Sequence, residues 1–99
     1  MAILDKLTPS YNLEEFKNSN FYITGSAFAG AAQLGFDRIG IKEVVSTIKK
    51  EHFYKSMTSI KNHRIWQDVY HVPYDDFVIY IKFTSEVISE FTLLSFKEK

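Results

Sequence analysis

Ninety-nine residues suit one domain around a single hydrophobic core and leave no room for a separate regulatory unit. Hydrophobic residues make up 45% and aromatics 16%, enough apolar surface to offset the entropy of ordering, so a disordered tail is excluded. Twelve basic side chains balance twelve acidic ones, so net charge signals no polyanionic partner, and the lack of cysteine excludes disulfides and thiolate zinc sites.

In chain order, Met1 to Tyr11 interrupts its few apolar residues with Asp5, Lys6, Thr8 and Pro9, unlike a signal peptide. No stretch approaches the roughly eighteen apolar residues that span a bilayer, so a soluble, cytoplasmic protein without membrane contact is expected. From Leu13 to Lys50 the texture is helical. Leu13 and Phe16 sit three apart. A small-residue run from Gly25 to Leu34 follows Thr24, an N-cap residue type, and ends at Gly35 in the position after the helix. Ile41, Val44, Val45 and Ile48 then form one apolar helical stripe. Three helices are predicted, with a short strand at Phe21 to Ile23 between the first two.

After Lys50 the period changes to two. Phe77, Ile79, Ile81 and Phe83 alternate with Val78, Tyr80, Lys82 and Thr84, which sets an apolar row against a mixed polar one. Trp66, Asp68, Tyr70 and Val72 alternate with Ile65, Gln67, Val69 and His71, and Pro73-Tyr74-Asp75-Asp76 is turn chemistry that joins the two runs as a hairpin. Phe91 to Lys97 alternates again, with Leu94 and Phe96 on the inward row. Phe53 to Ser59 fits strand or short helix, with strand preferred. The expected fold is α+β over residues 1–99, with N-terminal helices packed on one face of a C-terminal antiparallel β-sheet.

Several sites are excluded. Gly25, Gly30 and Gly35 are followed by no Lys-Ser or Lys-Thr, so they form no phosphate loop. His52, His63 and His71 lack metal-ligand spacing, and Asp75 with Asp76 reads as turn rather than paired acid and base. Between Lys49 and Arg64 a basic segment carries Lys49, Lys50, Lys55, Lys61 and Arg64 against the single acid Glu51. If Trp66, Phe77, Ile79, Leu94 and Phe96 face the core, alternation sends Gln67, Tyr80, Lys82, Ser95 and Lys97 to the other side together, with Lys55 able to join them. Pattern alone leaves two readings open: the wet side of an antiparallel sheet, or a binding face.

The blocks Phe53-Tyr54-Lys55-Ser56-Met57-Thr58, Ile65-Trp66-Gln67-Asp68-Val69-Tyr70 and Ser95-Phe96-Lys97-Glu98-Lys99 closely resemble the MqsR family, the motility quorum-sensing regulator toxins. The resemblance runs from about Thr24 to the carboxyl terminus, includes Gln33-Leu34-Gly35-Phe36, and weakens over the first twenty-odd residues. It implies a RelE-like fold and an mRNA interferase toxin that cuts at GCU-type sequences without metal or cofactor and inhibits translation. It also implies neutralisation by a cognate MqsA-like antitoxin, a zinc-binding helix-turn-helix protein, which leaves no direct DNA binding to this chain. The family's catalytic positions fall on Lys55, Gln67, Tyr80 and Lys97. A non-catalytic RNA-binding or antitoxin-binding module on the same fold is the alternative.

Those four residue types suit attack of a 2′-hydroxyl on the adjacent phosphate, with cations stabilising the charge that gathers on the non-bridging oxygens. A lysine acting as base must work against an intrinsic pKa of about 10.4, so Lys55 and Lys97 are assigned to electrostatic stabilisation. Tyr80 is assigned to donating a proton to the leaving 5′-oxygen or stacking on a base, and Gln67 to orienting phosphate or reading a base edge. His63 is a candidate for proton transfer because histidine titrates near neutrality, and Lys61, Arg64 and Lys82 are candidate RNA contacts. A nuclease built on His52 or His63 ranks last. The chain departs from the family's basic character in its zero net charge, in Asp75 and Asp76, and in Gly25 where a better-known member carries arginine. Those changes bear on RNA affinity and substrate preference more than on reaction type.

Overall fold

A computed structural model describes residues 4–87 and 90–99, with no account of the side chains of Glu86 and Val87. Among the described residues three α-helices form where the apolar spacing placed them. Helix α1 (Leu13–Asn18) starts at Asn12, whose side chain accepts from the Glu15 N–H at 2.9 Å, and buries Leu13 and Phe16. Helix α2 (Gly25–Gln33) is capped by Thr24, which accepts from the Ala27 N–H, and ends before Gly35, whose φ of +86° is the left-handed geometry that glycine adopts freely. Helix α3 (Arg38–Ser46) is capped by Asp37 on the Gly40 N–H and buries the stripe Ile41, Val44 and Val45, with Ile48 just beyond it. No helix among the described residues is long and apolar enough to cross a membrane.

Among the described residues six strands make one sheet: β1 (Asp5–Lys6), β2 (Tyr22–Ile23), β3 (Phe53–Thr58), β4 (Trp66–Tyr74), β5 (Phe77–Val87) and β6 (Glu90–Glu98), in the order β1-β3-β4-β5-β6-β2. Of the ambiguous stretch Phe53 to Ser59, Phe53–Thr58 thus resolves as strand and Ser59 lies just beyond it. The sheet is mixed rather than antiparallel as expected, because β2 pairs parallel with β6 through Tyr22↔Thr92 and Ile23↔Leu93. Alternation reports which face a residue occupies but not which strand lies beside it or in what direction. Strand β1, paired with β3, went unpredicted because two residues carry no period.

Alternate residues of the strands enter one core with residues of all three helices: Tyr70 and Val72 from β4, Ile79, Ile81 and Phe83 from β5, and Phe91, Leu93 and Phe96 from β6. Phe16 stacks on Phe83 with ring centroids 3.8 Å apart, and Phe91 meets Phe16 edge-on at 5.6 Å, contacts worth about 0.5–1.5 kcal/mol each beyond area burial.

Two inward assignments and one outward assignment change. Leu94 is only half-buried while Leu93 is fully buried, because the register slips from Lys82↔Ser95 to Phe83↔Leu93 and leaves Leu94 as an extra bulged residue. Trp66 is half-buried and outside the core. The N-terminal segment covers it, with the Lys6 ammonium 4.2 Å from its ring and the Tyr11 hydroxyl donating to its carbonyl at 2.9 Å. Thr84, placed on the polar row, is fully buried and donates to the same carbonyl at 2.7 Å.

The hairpin between β4 and β5 is tighter than the four-residue turn expected. Pro73 and Tyr74 belong to the strand, and Asp75 takes φ +51°, a conformation that aspartate tolerates better than most residues. The acidic pair therefore has a turn role.

Candidate active site

The strand residues outside the core form cross-strand rows on the sheet's other face. In one row, His71 of β4 pairs with Tyr80 of β5, which pairs with Lys97 of β6. Tyr54 of β3 joins it by stacking on His71, with centroids 4.2 Å apart and ring planes inclined by 22°. His71 lies 5.8 Å from the Tyr80 ring, and the Lys97 ammonium sits 5.2 Å over the Tyr80 ring. The next row runs Lys55, Val69, Lys82, Ser95, with the fully buried Val69 between the two lysines. Beyond it Gln67 pairs with Met57. Gln67, Lys82, Met57 and Lys61 line a shallow depression of about 240 Å³ at the base of the loop that follows β3.

Charge and burial set the chemistry of these rows. Burial first, and the neighbouring Lys97 charge second, lower the Lys82 pKa, so its ammonium is a stronger acid than a free lysine. Burial and the Tyr54 phenol raise the Tyr80 pKa, so Tyr80 keeps its proton. His71 is pushed below the ordinary imidazole value by burial and then by the Lys99 charge, so its ring is neutral at pH 7. Lys55 forms an ion pair with Asp5 at 3.6 Å, which holds it beside the Tyr54 ring.

The sequence-selected residues separate into two groups. Tyr80 and Lys97 are cross-strand partners, Lys55 and Lys82 share the adjoining row, and Gln67 and Lys61 meet Lys82 at the depression. His63 and Arg64 occupy the exposed turn before β4, where the Arg64 N–H bonds the Asn62 side chain at 2.9 Å. Among the described residues no hydrogen bond, ion pair or ring contact ties the His63 side chain to the rows. His52 is engaged locally, its Nδ1 accepting from the Lys49 N–H at 2.9 Å.

Two members of the face escaped sequence reasoning. His71 shares the alternation that selected Gln67, four residues earlier on β4, and that parity was the available signal. Tyr54 had none, because its place depends on a second register shift, between Phe53 and Lys55.

The fold and face define a small α+β protein with lysines and aromatic rings arrayed across strand positions outside the core. Among the described residues, no three histidine, cysteine or acidic side chains gather as a metal site. The family profile described as "Motility quorum-sensing regulator, toxin of MqsA" matches residues 8–98, and the chain belongs to that family. It is 37% identical to the mRNA interferase toxin MqsR of Escherichia coli strain K12, over 97% of this chain and all of that protein.

Proposed function

We propose that this protein is an mRNA interferase, a toxin that cuts single-stranded RNA without a metal ion and is neutralised by a cognate MqsA-like antitoxin. The observation that carries this reading is the placement of Tyr80 beside Lys97, with Lys55 and Lys82 flanking Val69 in the adjoining row, in a chain so similar to a named interferase. The likeness supports a RelE-like arrangement in which the helices cover one face and RNA lies across the other.

The cations would hold the scissile phosphate and stabilise charge on its non-bridging oxygens as the neighbouring 2′-oxygen attacks. The exposed Tyr54 ring offers a stacking surface to a splayed base, as single-stranded RNA recognition requires. Gln67, at the rim of the depression, would orient phosphate or read a base edge, with Lys61 contributing a phosphate contact and Arg64 and His63 on the adjoining turn. The products would be a 2′,3′-cyclic phosphate and a 5′-hydroxyl. A preference for GCU-like sites, a zinc-binding helix-turn-helix antitoxin and a cytoplasmic setting complete the reading.

Purified protein incubated with synthetic RNA containing GCU sites in excess EDTA should give discrete cuts ending in cyclic phosphate. Lys55→Ala and Lys97→Ala should each lose roughly 100- to 1000-fold in rate while remaining folded. No cleavage by the wild-type chain would favour a non-catalytic RNA-binding or antitoxin-binding module, and unchanged cleavage in both variants would remove those lysines from the site.

A further inference from the structure

A 2′-hydroxyl needs a base to take its proton, and the four family positions supply none suited to neutral pH. Lysine has an intrinsic pKa of about 10.4, glutamine does not titrate, and Tyr80 is held in its protonated form. His71 lies in the same row, between the Tyr54 and Tyr80 rings. Neither ring nitrogen hydrogen-bonds to another described residue, while its ring is fixed by stacking rather than left to rotate in solvent. We infer that His71 is the general base of the cleavage reaction, accepting the 2′-hydroxyl proton while Tyr80, its cross-strand partner, protonates the leaving 5′-oxygen. This rests on the interferase reading above.

The groups facing His71 from each neighbouring strand fit the role. Tyr54 of β3 and Tyr80 of β5 are neutral phenols, and Lys97 and Lys99 at the end of the chain are cations, with Lys55 and Lys82 in the adjoining row. Among the described residues no carboxylate is paired with His71 to raise its proton affinity, and the Asp5 carboxylate is engaged by Lys55. The imidazole is therefore unprotonated when substrate arrives, as a base must be.

In the step itself, the 2′-oxygen bonds to phosphorus as its proton passes to a ring nitrogen of His71. The bond from phosphorus to the 5′-oxygen breaks, and that oxygen takes the Tyr80 proton. Imidazolium and phenolate then return to their starting forms by proton exchange through water. A phenol, even with a raised pKa, remains a far stronger acid than an aliphatic alcohol. Placing base and acid on neighbouring strands lets each reach one of the two oxygens flanking the same phosphorus.

The experiment is a pH–rate profile of EDTA-treated protein on a synthetic RNA, with end groups analysed and folding checked by circular dichroism at each pH. Wild-type kcat should fall on an acidic limb below pH 6.5, with an apparent pKa that follows the His71 ring titration read by NMR on the protein bound to a 2′-O-methyl RNA. His71→Gln should lose roughly 100- to 10,000-fold in kcat with KM within a few-fold, and its residual rate should lack that limb. Added imidazole should restore part of the rate to His71→Ala. Cleavage to cyclic phosphate with no acidic limb, or a His71→Gln rate within three-fold of wild type, would overturn the assignment of the base and leave the interferase reading standing. No metal-free cleavage, or 5′-phosphate products, would overturn both. Should His71→Gln fail to fold, comparing the wild-type limb with the NMR titration still decides the matter.

Discussion

Gly30 lies in α2 where the helix meets β6, and a methyl group there tests how the site is supported. A Cβ built on Gly30 would stand 2.1 Å from the Phe96 carbonyl oxygen, 3.2 Å from its carbonyl carbon and 3.3 Å from the Lys97 Cβ. The obstacle is backbone in a paired strand and cannot rotate aside, so in Gly30→Ala the helix must retreat by roughly 1 Å. Overpacking of this kind costs about 1–3 kcal/mol, while the better helix propensity of alanine returns at most about 1 kcal/mol. A net loss of about 1–2 kcal/mol corresponds to a fall in Tm of roughly 4–16 °C for a domain of this size. The thermal transition followed by circular dichroism measures it, with Gly25→Ala as the internal comparison, since a Cβ at Gly25 meets nothing within 4 Å and should leave Tm unchanged or slightly higher. Because the crowded neighbour carries the Lys97 side chain, RNA cleavage by Gly30→Ala should also fall at temperatures where the fold is intact. Equal Tm values for the two variants would refute the seating of α2 against β6.

Two further predictions concern stability. Asp68 is fully buried and accepts from the Ser10 N–H at 3.0 and 3.1 Å and the Tyr11 N–H at 2.9 Å, so Asp68→Ala leaves two backbone donors without their acceptor and should cost about 2–5 kcal/mol in urea unfolding, with Asp68→Asn losing less. The Tyr70 pKa is pushed up to about 12, first by burial and then by the Asp68 charge, so the folded state favours the neutral phenol; its contribution is intact below pH 10 and should fade by about 2–3 kcal/mol as pH rises towards 12. Tyr70→Phe should lose less stability over that interval than wild type, and parallel losses would remove Tyr70 from the alkaline transition.

Sequence patterning carried the helices and the middle of the sheet because both rest on local periodicity. Ile41, Val44, Val45 and Ile48 bury one helical stripe, and Ile79, Ile81 and Phe83 bury one strand face, whatever lies beside them. The edge strand at Tyr22–Ile23 was legible but its parallel pairing was not, since the match of Ile23 with Leu93 is fixed by tertiary geometry rather than by the residues around either. The candidate site was legible wherever it followed alternation in β4 and β5, which put Gln67, Tyr80 and Lys82 outside the core. His71 obeyed the same parity but was weighed only as a metal ligand. The loop candidates His63 and Arg64 stay apart from the paired rows because charge density along a chain says nothing of where a turn points.

Two lysines of the candidate site, Lys55 and Lys97, reach the open face for a reason that alternation cannot supply. In β3, Phe53 packs against the core and so does the parity of Ser56, so without an irregularity Lys55 would share the side of Phe53; the register shift at Tyr54 turns Lys55 outward beside Val69. In β6, Leu93 and Phe96 are both buried although three residues apart, and strict alternation from Leu93 would drive Lys97 inward; the extra residue Leu94 restores it to the row of Tyr80. At that bulge the Leu93 carbonyl accepts from the Thr24 N–H at 3.1 Å, and the Thr24 hydroxyl lies 3.1 Å from the same oxygen and 3.2 Å from the Leu94 oxygen while it also caps α2. One threonine thus ties the start of the helix that carries Gly30 to the irregularity that aims Lys97. The placement of that cation is thereby coupled to the packing of α2, more than to anything in the residues flanking Lys97 itself.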